Sequence, residues 1–277
     1  MKNFIIRLLT AIVYSCTIIF CVVYSQYTFL ALFMLIIILC SMEFYRMINI
    51  LGGTKINPYI HGAGGALLFL TVFLFISGIT YRYIFSLYFI YIAATLIYEL
   101  YADNKNPVNR LAYIVLGQCY VALPFSSLNL LAFPDFSAAT PAYQWIWIIA
   151  LFVIIWANDT GAYLIGVTFG KHRLWEKLSP KKSWEGFFGG FIFAIIFALI
   201  FAHFQPQTAW YHWVAISVGI VIFGTYGDFV ESMIKRSVSI KDSGNLLPGH
   251  GGFLDRFDSL LLAVYAMLFY IQFFIQN

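Results

Sequence analysis

Nine stretches of this 277-residue chain run almost uninterruptedly apolar, near 4–24, 27–48, 60–79, 82–101, 111–132, 143–168, 186–204, 211–233 and 258–275. Each is close to the roughly 20 residues that a helix needs to cross the hydrocarbon of a bilayer. In lipid every backbone N–H and C=O must find its partner within the protein, so only helices and closed barrels span it. Barrel strands alternate apolar with polar residues, and these runs do not alternate. The chain is therefore expected to be all-α, a polytopic integral membrane protein with about nine transmembrane helices. Composition agrees: 10% of residues are charged and 62% hydrophobic, where globular proteins carry about 25% charged residues. So apolar a chain cannot clothe a water-facing surface, which excludes a soluble enzyme, a disordered protein and a secreted disulfide scaffold. Cys16, Cys21, Cys40 and Cys119 lie inside apolar runs without Cys-x-x-Cys spacing, and read as small buried hydrophobes.

The 28 charges, 16 basic and 12 acidic, carry the remaining information. Lysine and arginine collect in cytoplasmic loops. With the N-terminus in the cytoplasm, Lys2, Arg7, Arg46, Lys55, Lys105, Arg110, Lys171, Arg173, Lys177, Lys181, Lys182, Lys235, Arg236, Lys241 and Arg256 fall inside, and Arg82 outside. A missed or invented span would scramble that division. The C-terminus is expected on the opposite face. Lys2 and Arg7 before an apolar run resemble a signal peptide, but no small-x-small site follows, so an uncleaved first helix is expected. The net charge of +4, with no basic soluble domain, suits anionic lipid headgroups and not nucleic acid. We read 1–277 as one membrane-embedded catalytic domain. Residues 1–140 form a helical scaffold without motifs, and 141–277 a catalytic portion with cytoplasmic loops 171–185 and 235–257. The segments 171–185 and 228–258 together hold 16 of the 28 charges.

Two polar clusters stand out there. The first joins Asn158-Asp159-Thr160-Gly161 to Ser179-Pro180-Lys181-Lys182-Ser183-Trp184-Glu185-Gly186. Asp159 lies inside a span, where an ionisable group is costly unless it meets a cavity or a partner; a structural ion pair is its ordinary explanation. Lys181 and Lys182 could be simple interfacial anchors. They could equally clamp phosphate, with Ser183 as N-cap of the next helix and its first amides facing an anion. The Gly-x-x-x-Gly pairs Gly166/Gly170 and Gly186/Gly190 suit close helix packing.

The second cluster is sharper. If the span 211–233 continues helical to about residue 236, Asp228, Glu231 and Lys235 share one face at i, i+3 and i+7. Asp255 and Asp258 repeat the i, i+3 spacing at the start of the last span. Clustered carboxylates repel one another unless cations intervene, and oxygen-only ligands select hard cations, above all Mg²⁺. Between the pairs lies a loop with Gly244, Gly249, Gly251 and Gly252, whose backbone can approach phosphate closely. Lys235, Arg236, Lys241 and Arg256 add positive charge. Together these form a kit for phosphoryl or nucleotidyl transfer. Singly, Asp255 could merely favour a helix N-terminus, Glu231 and Lys235 could be an ordinary i, i+4 pair, and His250 could be a turn residue or phosphate donor. Jointly those explanations leave unexplained why the deep acidic groups gather at one face.

The pattern resembles the CDP-diacylglycerol synthases, or phosphatidate cytidylyltransferases. Their signature runs Ser-x-x-Lys-Arg, four residues, Lys-Asp-x-Gly, a short gap, then His-Gly-Gly-x-x-Asp-Arg-x-Asp. Here it falls on Ser232, Lys235, Arg236, Lys241, Asp242, Gly244, His250, Gly251, Gly252, Asp255, Arg256 and Asp258. Residues 158–163 and 179–186 also look like family segments, with Ser183 where many members have Thr. The resemblance implies condensation of CTP with phosphatidate to give CDP-diacylglycerol and pyrophosphate, in a multi-pass protein of a bacterial-type inner membrane with its active site on the cytoplasmic side. It implies Mg²⁺, with K⁺ as second cation, and a homodimer among membrane lipids. Carried onto this chain, Asp228 and Asp255 are the principal metal ligands, with Glu231 and Asp258 in support and Asp159 and Asp242 as further supporting residues. Lys235, Arg236 and Lys241 are catalytic together with the two principal aspartates. Lys181, Lys182, Ser183, Ser232, His250, Gly251, Gly252 and Arg256 bind substrate. A secondary transporter would predict inverted repeats and midplane polar groups, and neither is visible. A CDP-alcohol phosphatidyltransferase needs Asp-x-x-Asp-Gly-x-x-Ala-Arg, whereas Asp258 is followed by Ser259 and Leu260.

Overall fold

The computed structural model describes residues 2–102, 106–135, 141–244 and 251–275, with side chains from residue 9 onward. Ten helices follow one another among the described residues. They are α1 (Lys2–Tyr24), α2 (Gln26–Gly52), α3 (Pro58–Ile76), α4 (Phe85–Tyr101), α5 (Pro107–Gly117), α6 (Leu123–Ala132), α7 (Trp145–Phe169), α8 (Trp184–Phe204), α9 (Trp210–Ser237) and α10 (Leu254–Phe274). Seven are long and apolar enough to cross a membrane, counting α5 and α6 as one span and the 3₁₀ turn Arg82–Ile84 with α4. The apolar stretches Leu9–Tyr24 and Asp258–Phe274 are shorter. The protein is thus an all-α polytopic membrane protein. Leu87, Phe89, Ile90, Leu96 and Ile97 of α4 are exposed, as suits a helix facing lipid.

Two departures from the sequence reading are local. The segment 171–185 contains an antiparallel hairpin, β1 (Arg173–Trp175) and β2 (Ser179–Ser183), paired Arg173 to Ser183 and Trp175 to Ser179. The span 111–132 is interrupted by a π-helical turn, Gln118–Ala122. Pro124 lacks an N–H and its ring crowds the carbonyl four residues earlier, and the widened turn accommodates both. At the two ends of the loop expected over 235–257 the described residues are helical, since α9 continues to Ser237 and α10 starts at Leu254.

The chain divides into two compact units. The first holds residues 1–145 and 237–256. Its core is aromatic: Phe29 packs on Phe33 and Phe69 at ring separations of 5.0 and 5.6 Å, and Phe33 on Phe125 at 6.1 Å. One buried polar node ties α2, α3 and the π turn together. Gln118 donates to the Tyr45 hydroxyl (3.1 Å) and to the His61 carbonyl (2.9 Å), and Tyr45 donates to the Ile114 carbonyl (2.9 Å). A second buried pair joins Arg110 of α5 to Glu99 of α4 at 3.1 Å.

The second unit holds residues 146–236 and 257–277. Glycines bring its helices into close contact. A Cβ at Gly190 of α8 would stand 2.6 Å from the Asn158 carbonyl oxygen of α7, and one at Gly186 2.9 Å from that of Ala162. Gly224 of α9 faces Ser259 and Ala263 of α10, and Gly219 faces Ala266. These stripes set the distances between the helices that carry the polar residues.

Candidate functional site

At the polar end of α9, Asp228 and Glu231 stand one turn apart and face Asp258 of α10. One carboxylate oxygen from each of these three residues lies within 4.8 Å of the other two. That approach depends on Gly227, where a Cβ would press into the Asp258 carbonyl oxygen and lie 3.2 Å from Ser259 Cα. Glu231 is fully buried. Three carboxylates so close require positive charge, and two lysines supply it. Lys182 of β2 forms an ion pair with Asp228 Oδ2, and its ammonium lies 5.0 Å from the centre of the Phe229 ring. Lys235 Nζ donates to Glu231 Oε2 at 2.8 Å. Ser232 Oγ donates to Asp228 Oδ1 at 3.2 Å. The charge of Asp159 on α7 acts on Asp258 alongside those of Asp228 and Lys182.

The hairpin that delivers Lys182 is braced at both ends. Ser183 caps α8, accepting from the Gly186 amide at 3.1 Å, and is itself buried. Glu185 accepts from the Lys171 and His172 amides and contacts the His172 ring at 2.6 Å. Trp175 meets Phe229 of α9 at a ring separation of 5.4 Å. Lys181 remains exposed on β2, and Arg236 at the end of α9 is exposed as well.

This donor set fits a hard divalent cation. All its ligand atoms are carboxylate oxygens, and oxygens on opposite sides of a Mg²⁺ stand about 4.2 Å apart. Small side-chain rotations therefore bring the three oxygens to ligand distance. Two ammonium groups already contact the cluster where extra positive charge is needed.

The remaining signature residues lie in the first unit. Asp255, in the first turn of α10, accepts from the Ser243 and Gly252 amides through Oδ2, both at 2.9 Å. Its carboxylate clasps the glycine-rich loop. Gly251 has φ = 85°, a left-handed conformation that a side chain would strain. Lys241, Asp242 and Arg256 are exposed. His250 lies outside the described residues.

A buried acidic residue beside these loop residues escaped the sequence reading. Glu43 of α2 is 1% exposed and accepts from Ser243 Oγ and the Leu254 amide, each at 2.9 Å. Its signal was present, since a carboxylate inside an apolar run demands a partner. The partner stands some 200 residues away, and nothing local announces it.

A sequence model of the Cytidylyltransferase family matches residues 5–274. The chain is 35% identical to the phosphatidate cytidylyltransferase of Staphylococcus aureus (strain COL) over 158 residues, 56% of this chain and 59% of that protein. It is 37% identical to the Staphylococcus epidermidis (strain ATCC 12228 / FDA PCI 1200) protein of that name over 158 residues, with the same shares covered. The Bacillus subtilis (strain 168) protein of that name is 33% identical over 180 residues, 65% of each chain. The alignments thus span less than two thirds of each relative's length.

Proposed function

The chain belongs to the cytidylyltransferase family, and on that premise we propose that it condenses CTP with phosphatidate to form CDP-diacylglycerol and pyrophosphate. The relatives' shared name supports this reading. The observation that carries it is the complete signature from Ser232 to Asp258, whose last aspartate, Asp258, meets Asp228 and Glu231 just upstream of it, with two lysines in contact. We place the active site on the cytoplasmic side of a bacterial inner membrane, with the N-terminus on that side, because 15 of the 16 basic residues fall there.

The chemistry follows from charge. A phosphate monoester has its second pKa near ~6, so phosphatidate is largely dianionic at neutral pH and needs little help from a base. Its phosphate oxygen attacks the α-phosphorus of CTP. A P–O bond forms there while the bond to the bridging α,β-oxygen breaks, and the electron pair leaves on pyrophosphate. The barrier arises mainly from bringing several negative groups together. Mg²⁺, held by Asp228, Glu231 and Asp258, would neutralise part of that charge and polarise the phosphoryl oxygens. Lys182 and Lys235 border the carboxylates and counter the phosphates' charge from fixed positions. Lys181 and Arg236, exposed in the same unit, supply further cationic contacts. The resemblance assigns metal ligation to Asp255, phosphate binding to Lys241 and Arg256, a second K⁺ ion and a homodimer. We propose these on that ground alone.

Purified protein supplied with phosphatidate, radiolabelled CTP and Mg²⁺ is expected to release labelled CDP-diacylglycerol. Asp228→Ala is expected to abolish that product, and Asp255→Ala tests the ligand that the resemblance adds. Wild type without product overturns the reaction; two active variants overturn the metal assignment and spare the reaction.

A further inference from the structure

We propose that Glu43, far from the signature in sequence, is a positioning residue for cytidylyl transfer, holding the glycine-rich loop and the start of α10 in register. This rests on the reading of the reaction given above. The side chain reaches out of α2, in the half of the chain that carries no motif, and all its partners lie in the same compact unit. Oε2 accepts from Ser243 Oγ on one side of the loop and from the Leu254 amide on the other. Leu254 is the first residue of α10, so its amide is one of the donors that a helix cannot satisfy internally. Glu43 thus caps α10 from another helix. Asp255 ties the same two flanks together through the Ser243 and Gly252 amides.

The signature glycines have their explanation here. A Cβ at Gly244 would press into Glu43 Oε1 and stand 2.7 Å from Cδ. One at Gly252 would press into Ser243 Oγ and Glu43 Oε2. Both positions need glycine because the backbone of Gly244 and of Gly252 lies directly on the buried carboxylate. A helix of pure scaffold would fill that space with an apolar group, since a buried acid is costly without hydrogen bonds. The acid at position 43 is matched to this loop, and the loop leads into the helix that bears Asp255 and Asp258.

The test uses the full-length protein in detergent–lipid micelles. CDP-diacylglycerol formation is measured at varied CTP, with thermal unfolding and amide hydrogen exchange in parallel. Glu43→Gln keeps an oxygen acceptor for Ser243 and Leu254, and is expected to keep kcat/KM within about threefold of wild type. Glu43→Ala removes the clasp. A misplacement near 1 Å costs roughly 100-fold in rate, so its kcat is expected to fall roughly 10- to 100-fold, with exchange at 251–254 rising while the rest of α2 keeps its protection. A folded Glu43→Ala with wild-type kcat and KM overturns the proposal. So does a loss of activity that matches the unfolded fraction alone. If Glu43→Ala does not fold, Gly244→Ala probes the contact from the loop side. It is expected to lower kcat, and Glu43→Asp, one methylene shorter, to restore part of it; absence of both effects overturns the proposal. Wild type that makes no CDP-diacylglycerol overturns the reaction itself, whereas an active wild type beside an equally active Glu43→Ala overturns only the role of Glu43.

Discussion

Replacing Gly227 by alanine adds one carbon at the closest of the three glycine contacts that α9 makes with α10. That carbon would press into the Asp258 carbonyl oxygen and lie 3.3 Å from the carbonyl carbon. Carbon–oxygen contacts settle at about 3.3 Å or more, so the helices must part by roughly 1 Å. Overpacking of this kind costs about 1–3 kcal/mol, partly offset by the better helix propensity of alanine, up to about 1 kcal/mol. Stability therefore changes modestly. Geometry suffers more, because the separation falls between Asp228 and Asp258, whose oxygens now lie within 4.8 Å. A 1 Å displacement of reacting or ligating groups costs roughly 100-fold in rate. The expected result is a folded protein whose CDP-diacylglycerol formation drops by about that factor and needs more Mg²⁺ for half-saturation. Gly219→Ala is the control on the same helix pair: its Cβ would stand 3.3 Å from the Ala266 Cβ, a contact that small shifts relieve, and activity stays near wild type. A Gly227→Ala protein with the wild-type rate and Mg²⁺ requirement would refute the reasoning.

Other substitutions separate stability from chemistry. Lys235→Met leaves Glu231, fully buried, without its partner in the 2.8 Å ion pair, and removing one member of a buried pair costs about 3–5 kcal/mol. Thermal unfolding should fall sharply, and adding Glu231→Leu should recover the melting temperature but not the product. Ser183→Ala removes the acceptor for the Gly186 amide and is expected to cost about 1 kcal/mol, whereas Ser183→Thr keeps the cap and the activity.

The spans were legible because lipid imposes one rule on every residue of a run, so hydropathy alone locates α2, α3, α7, α8 and α9. Asp228 and Glu231 were legible as a pair because helical spacing is local. That Asp258 joins them depends on Gly227 and on the packing of α9 against α10, which no local pattern states. The hairpin was missed because β1 has three residues and β2 carries Pro180, Lys181 and Lys182 on a partly exposed strand, too short for alternation to register. The π turn had a signal in Pro124, visible once a proline inside a span is asked where its displaced carbonyl goes. Glu43 had the signal of a charge inside hydrocarbon, yet its meaning lies in Ser243 and Leu254. The family resemblance makes Asp255 a principal ligand, its spacing alone leaving a helix N-terminus role open, and the structure shows the same carboxylate accepting two amides, those of Ser243 and Gly252.

The account turns on Asp228, Glu231 and Asp258 holding a divalent cation that cytidylyl transfer requires. Mn²⁺ can stand in for Mg²⁺ and be counted by electron paramagnetic resonance in the sample that is assayed for product. Wild type is expected to bind Mn²⁺ with CTP present and to make CDP-diacylglycerol, to lose both on chelation, and to regain both on adding the ion back. Asp258→Asn is expected to weaken both together. Product formed after complete chelation, or Mn²⁺ binding untouched by Asp228→Ala and Asp258→Asn, would contradict it.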